Sequence, residues 1–201
     1  MSLVGKEFPD VTLKAMDYLG DDKEINVLEM CKKENKKVLL FWYPKDFTYV
    51  CPTELFAFQE TVEEFGKRNC LVLGASCDTN EVHFAWLSTP KEEGGIEGVE
   101  YPILSDTWRK LAGELNITDL ADNVSYRATY LLDEQGVCFH ESVNDMPIGR
   151  NVSEYLRILD AKIFNEKNGE VCPAGWQKGD AGMKPTSEGV ADYLANNAES
   201  L

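Results

Sequence analysis

The sequence predicts an α/β domain, a central mixed β-sheet flanked by helices, followed by an extended C-terminal arm. Three observations carry this. The run Val38-Leu39-Leu40-Phe41-Trp42-Tyr43 is apolar on both faces of a strand, which suits a sheet covered on both sides. From there to Ile163, short apolar runs alternate with segments of helical periodicity. From Asn165 onward the periodicity fails, interrupted by Gly169, Pro173, Gly175, Gly179, Gly182 and Pro185.

Each element has its own warrant. Lys37 and Pro44 bound the first strand. Leu55, Phe58, Val62 and Phe65 then recur at helical spacing up to a stop at Gly66. Pro52 needs no backbone N–H and suits the first helical position, which puts Cys51 at or beside the N-cap. Cys70 and Cys77 flank a short apolar strand near 70–76, and Glu81 to Leu87 reads as a short helix with Val82 and Trp86 on one face. Lys91 to Glu100, with Gly94, Gly95 and Gly98, reads as a surface loop. Trp108, Leu111, Ala112 and Leu115 follow the i, i+3, i+4, i+7 pattern, with Ser105 or Asp106 as cap. Thr129–Asp133 and Val137–Glu141 flank a turn at Glu134-Gln135-Gly136 and form a β-hairpin. Asn151 caps a long amphipathic helix carrying Val152, Tyr155, Leu156, Leu159 and Ile163. A short helix, Ser187 to Asn196, lies in the tail. This succession is that of thioredoxin-like folds, with a domain over 3–164 and an arm over 165–201.

Composition narrows the function. The 201 residues, 43% hydrophobic, build a substantial core without staples. A net charge of −15 disfavours nucleic acid and anionic membrane surfaces as partners. No stretch reaches transmembrane length, and Met1-Ser2-Leu3-Val4-Gly5-Lys6 lacks the apolar core of a signal peptide, so a cytoplasmic location is expected. The six cysteines, Cys31, Cys51, Cys70, Cys77, Cys138 and Cys172, include no C-x-x-C pair and read as catalytic or merely buried thiols. Cys70 and Cys77 flank one strand-like run and Cys138 sits in another, settings where burial is the default. Scattered cysteines and two histidines, His83 and His140, give no zinc pattern, and no flavin or haem motif is present, so neither metal nor cofactor is expected.

Cys51 is the chemical candidate. A helix N-terminus favours an adjacent anion by roughly 0.3–1 kcal/mol, which moves an exposed thiol by less than one pKa unit. A cation must help. Full deprotonation of an ordinary thiol gains only about thirtyfold at pH 7, so larger acceleration has to come from groups that stabilise the transition state. Thr48 offers a hydroxyl about one turn before Cys51, the loop amides offer fixed donors, and Pro44 shapes the loop and excludes water. Only five arginines are available as the cation; of these, Arg127 opens a strand and Arg150 precedes the long helix, so both can lie at one end of the sheet. A guanidinium can hold a thiolate while its planar fork also engages a carboxylate such as Glu54. In the arm, Cys172 stands isolated near Trp176, and an exposed thiol is a liability unless it has a redox partner.

Phe47-Thr48-Tyr49-Val50-Cys51-Pro52-Thr53-Glu54 together with Glu170-Val171-Cys172-Pro173 resembles the typical two-cysteine peroxiredoxins. Asn144-Asp145-Met146-Pro147-Ile148-Gly149-Arg150-Asn151 and Cys172-Pro173-Ala174-Gly175-Trp176-Gln177-Lys178-Gly179 are similar to their bacterial branch, the peroxidase component of alkyl hydroperoxide reductase. The resemblance spans nearly the whole chain. It implies a thiol peroxidase with Cys51 as peroxidatic cysteine and Cys172 of a partner subunit as resolving cysteine. It further implies Arg127 as the active-site arginine, Arg150 as a supporting one and Glu54 as the carboxylate that orients them. Hydrogen peroxide and small alkyl hydroperoxides are the implied substrates, thioredoxin or a flavoprotein disulfide reductase the implied electron donor, and a homodimer in a ring of five dimers the implied assembly.

Two segments depart from many eukaryotic relatives. Gly94-Gly95-Ile96-Glu97 and Tyr193-Leu194 stand where those carry Gly-Gly-Leu-Gly and Tyr-Phe, which points to an enzyme robust to overoxidation. Rival functions fit less well. A thiol–disulfide exchange protein uses the C-x-x-C spacing absent here, an acidic chaperone assembly needs no thiol chemistry, and a cysteine hydrolase would have to recruit His83 or His140 as base.

Overall fold

The computed structural model describes residues 2–198; Met1, the first residue of the leader segment considered above, and the last three residues of the arm, 199–201, lie outside the described residues. The chain divides into two compact units at Val152/Ser153. In the first, β1 (Thr12–Met16), β2 (Asp22–Asn26) and α1 (Val27–Glu34) precede the first strand anticipated from sequence, β3 (Lys37–Trp42). Then come α2 (Cys51–Gly66), β4 (Cys70–Ser76), α3 (Asn80–Leu87), β5 (Ile103–Ser105), α4 (Lys110–Glu114), the short pair β6 (Thr118–Asp119) and β7 (Val124–Ser125), and β8 (Arg127–Leu132) with β9 (Cys138–Asn144). These strands form a seven-stranded mixed sheet in the order β2-β1-β5-β4-β3-β8-β9, with β6 and β7 paired separately.

The centre of the sheet explains its sequence. β3 runs parallel to β4 and antiparallel to β8, and all six residues of β3 and all six of β8 are buried. On one face Val38, Leu40 and Trp42 join Val27 and Cys31 of α1, Leu111 and Ala112 of α4, and Ala128, Tyr130 and Leu132 of β8. On the other, Phe41 stacks on Phe58 of α2 with ring centroids 4.0 Å apart, and the Tyr101 hydroxyl donates to the Leu55 carbonyl at 2.7 Å. Lys37 lies inside the strand and is itself buried, paired with Glu134.

Several boundaries differ from the sequence reading. Cys51 opens α2 and Pro52 is its second residue. Val82 is exposed; the face α3 buries is Asn80, His83, Trp86 and Leu87, because polar groups there find internal partners. Trp108 is 91% exposed and outside any helix: Arg109 adopts a left-handed φ of 53°, so α4 starts only at Lys110. Arg109 holds the N-cap position, and Asp106, three residues earlier, still serves the first turn through its carboxylate, which accepts from the amides of Lys110 and Ala112. The 91–100 loop is anchored by fully buried Ile96 and Val99. Its glycines have local reasons: Gly94 has φ 80°, and a Cβ on Gly95 would meet the Thr89 carbonyl oxygen at 1.9 Å.

The second unit holds most of α5 (Val152–Asn168) and α6 (Ser187–Asn197). The arm is tied down rather than free. Val171 and Met183 form an antiparallel bridge, Trp176 packs on Phe164 at 5.0 Å, and Arg157 donates to the Trp176 carbonyl while forking onto Glu154. Among the described residues no helix is long and apolar enough to cross a membrane.

Phe58 is the most direct test of this core. Phe58→Ala should cost about 3–5 kcal/mol in urea unfolding of the reduced protein, because it removes a fully buried ring stacked on the central strand. A loss below about 1 kcal/mol would mean that the face collapses around the cavity.

Candidate active site

The site grows out of the end of β3. Tyr43 continues the strand by donating its amide to the Ala75 carbonyl, and its own carbonyl accepts from Ser125 Oγ at 2.9 Å. Pro44, buried and without an N–H, then ends the ladder. The chain turns through 44–50 and enters α2 at Cys51, with Val50 as N-cap and no side-chain cap on the helix.

Cys51 is 0% exposed, yet its sulfur is not in hydrocarbon. Thr48 Oγ1 lies 3.0 Å from Sγ and 2.7 Å from the Lys45 carbonyl oxygen, and the Arg127 Nη1 group donates to Sγ at 3.3 Å. The same Nη1 donates to Glu54 Oε2 at 2.7 Å, and Arg127 Nε donates to the Met146 carbonyl at 2.6 Å. Glu54, one turn into α2, is almost fully buried and also accepts Arg150 as a fork, Nε to Oε1 at 2.8 Å and Nη2 to Oε2 at 3.0 Å. Arg150 Nη1 is further placed by the carbonyls of Trp42 and Ala128, and its guanidinium lies over the Phe41 and Phe58 rings at 5.1 and 5.7 Å.

The charges decide what this cluster can do. Two arginines against one carboxylate leave a buried excess of one positive charge, and a buried charge is costly unless matched. A thiolate at Cys51 matches it. The nearest donors, Thr48 and Arg127, flank the sulfur and are positioned to meet an oxygen developing negative charge beside it.

The other thiols lack such an arrangement. Burial pushes Cys31, Cys70 and Cys138 up to about 12 each, and Cys77 up to about 11. These are inert, protonated groups near neutral pH. Cys172 lies in the second unit, partly buried, its sulfur 3.5 Å from the Ala161 carbonyl; burial raises its pKa against the pull of Arg157.

The structure thus gathers Cys51, Thr48, Glu54, Arg127 and Arg150, sets Pro44 at the entry to their loop, and carries Cys172 in the other unit. Sequence reasoning missed the Met146 carbonyl that fixes Arg127 and the two phenylalanine faces beneath Arg150. Met146 lies within the Asn144–Asn151 motif; the aromatic faces had no signal beyond their hydrophobicity.

Comparison with known proteins agrees with this geometry. Residues 4–140 match the model of the AhpC/TSA family, and residues 164–196 match that of the C-terminal domain of 1-Cys peroxiredoxin. The chain is 42% identical to alkyl hydroperoxide reductase C of Helicobacter pylori over 200 residues, covering 99% of this chain and 100% of that one. It is likewise 42% identical to peroxiredoxin-1 of Gekko japonicus over 194 residues, 96% of each. The crystal structure of reduced Plasmodium vivax 2-Cys peroxiredoxin superposes with a TM-score of 0.93 at 42% identity, covering 98% of this chain and 100% of that one. With a thiol held between a hydroxyl and a guanidinium at a helix start, and with these likenesses over nearly its full length, the chain belongs to the AhpC/TSA family and is a peroxiredoxin, a thiol-dependent peroxidase.

Proposed function

We propose that Cys51 reduces hydrogen peroxide and small alkyl hydroperoxides, and that Cys172 of a partner subunit resolves the product. The observation that carries this is the pair of donors on one buried sulfur, Thr48 at 3.0 Å and Arg127 at 3.3 Å, with Glu54 holding Arg127 from behind. The Cys51 thiolate attacks the terminal peroxide oxygen; the S–O bond forms as the O–O bond breaks. The departing alkoxide or hydroxide takes a proton and leaves as alcohol or water, while sulfur is oxidised to sulfenic acid. Thr48 and Arg127 stabilise the charge moving onto oxygen, Arg150 and Glu54 fix Arg127, and Pro44 shields the loop. The Cys172 thiol then condenses with the sulfenic acid, releasing water and forming a disulfide, which an external dithiol reduces by exchange.

Several finer points belong to this reading. Residues 3–164 form the peroxidase domain and 165–201 the arm. Because Cys51 sits buried in the first turn of α2, forming the disulfide requires local unwinding around Thr48 to Phe56. The reductant is thioredoxin or a flavoprotein disulfide reductase; a thioredoxin peroxidase of Echinococcus granulosus is 37% identical over 195 residues. The protein works in the cytoplasm as a homodimer assembled into a ring of five dimers. Gly94-Gly95-Ile96-Glu97 and Tyr193-Leu194 favour resistance to overoxidation.

Cysteine replacements test the core of this. Cys51→Ser should abolish peroxide consumption. Cys172→Ser should still be oxidised once by peroxide but should form no disulfide-linked dimer on a non-reducing gel and should accumulate sulfenic acid at Cys51. Peroxide turnover by Cys51→Ser would overturn the assignment. The arginine is tested separately. Arg127→Lys should slow Cys51 oxidation in stopped-flow fluorescence by about 10²- to 10³-fold, since one ammonium cannot serve Sγ, Glu54 and the Met146 carbonyl together. A wild-type rate in that variant would remove Arg127 from the chemistry.

A further inference from the structure

Behind the catalytic loop lies a second buried polar network that the peroxidase mechanism does not use. Asp46, in the 44–50 loop, accepts from the Tyr43 hydroxyl at 2.7 Å through Oδ1 and pairs with His83 Nδ1 at 2.7 Å through Oδ2. Its backbone amide donates to Asp78 Oδ2 at 2.9 Å, and Ser76 Oγ donates to that same oxygen at 2.8 Å. His83, on α3, is fully buried, and its Nε2 faces the Leu104 carbonyl at 3.3 Å. Both ring nitrogens therefore face acceptors. The ring is thereby fixed between Asp46 on one side and the Leu104 carbonyl on the other. Burial raises the Asp46 pKa, and His83 counters only part of that rise.

Polar groups buried this deeply are costly unless matched, and a matched cluster beside the site calls for a reason. None of its hydrogen bonds reaches Cys51, but it grips Asp46, two residues before Thr48. Thr48 Oγ1 has a single proton and two acceptors, the Lys45 carbonyl and Cys51 Sγ. Lys45 and Thr48 flank Asp46 and Phe47. Phe47 holds a left-handed φ of 54°, unfavourable for a non-glycine residue, and a residue so strained persists only when its neighbours over-determine it.

We infer that His83 and Asp46 are positioning residues for the peroxidase reaction, holding the strained 45–48 turn so that the Thr48 hydroxyl stays on the Cys51 sulfur. The inference rests on the reading that Thr48 assists peroxide reduction at Cys51. The pair acts through the backbone: releasing Asp46 lets Phe47 relax, and the hydroxyl then turns to the Lys45 carbonyl or to water. A misplacement of this size costs tenfold or more in rate without removing any group that touches peroxide.

The experiment is single-turnover oxidation of the reduced full chain by hydrogen peroxide, with His83→Gln made in three backgrounds: Thr48, Thr48→Ser and Thr48→Val. His83→Gln should slow oxidation by about ten- to a hundredfold with Thr48 and with Thr48→Ser, which keeps the hydroxyl. It should add nothing in Thr48→Val, where there is no hydroxyl left to position. An equal factor in all three backgrounds would assign the pair a purely structural role and overturn the inference, as would a wild-type rate for His83→Gln. Tyr43→Phe, which removes only one hydroxyl from Asp46, runs through the same series if His83→Gln does not fold. Failure of the wild-type chain to consume peroxide would instead overturn the function proposed for Cys51.

Discussion

One buried carboxylate organises the site. Glu54 accepts from Arg127 and, as a fork, from Arg150, and nearly every other feature of the centre follows from that double engagement. Left to themselves, two guanidiniums in a desolvated pocket would repel each other and take water with them. With Glu54 between them they hold a fixed geometry and a surplus of one positive charge, which a thiolate at Cys51 completes. A lone arginine on a flexible stem could reach the sulfur but would have to be reoriented in every catalytic cycle. Here the orientation is set before substrate arrives, which is where electrostatic catalysis gains most.

The sheet supplies the rigidity that this arrangement needs. Cys51 and Glu54 sit one turn apart on α2, directly after the carboxyl end of β3; Arg127 opens the neighbouring antiparallel strand β8, so its side chain emerges at that same end. Carbonyls of β3 and β8, those of Trp42 and Ala128, bind Arg150. The site is thus anchored to two six-residue strands that are buried at every position. Two irregular segments complete the site: 145–151, which bears Arg150 and the Met146 carbonyl, and the 44–50 loop bearing Thr48, which carries a left-handed Phe47 and is held by an additional polar network.

What sequence revealed and what it hid have the same physical origin. The 38–42 run was legible because a central strand must be apolar on both sides, and α2 because its buried face repeats cleanly. β1 and β2 escaped notice because they lie toward the edge of the sheet: β2 buries only one of its five residues fully, so neither alternation nor continuity stands out. The Trp108 pattern misled because periodicity cannot see a left-handed residue such as Arg109 breaking the turn. Cys51, Thr48 and Glu54 were readable as a local motif, since their spacing alone brings them together. Arg127 and Arg150 needed the topology, and were reached through the scarcity of arginines and the family resemblance. The burial of Asp46 and His83 was invisible, because a polar residue reads as surface until its partner is known.

The six thiols show why burial alone says little about reactivity. Cys31 and Cys51 are equally inaccessible, both 0% exposed. Around Cys31 burial dominates, so the thiol stays protonated; around Cys51 the chain supplies a hydroxyl, a guanidinium and the start of a helix in place of water. A small peroxide needs only to displace into that pre-arranged shell. On the mechanism proposed above, a protein thiol is too large for that shell, so disulfide formation would require Cys51 to leave its donors. The enclosure that would favour the first step would then oppose the second, and the 44–50 loop, with its left-handed Phe47, is where the proposed unwinding would begin.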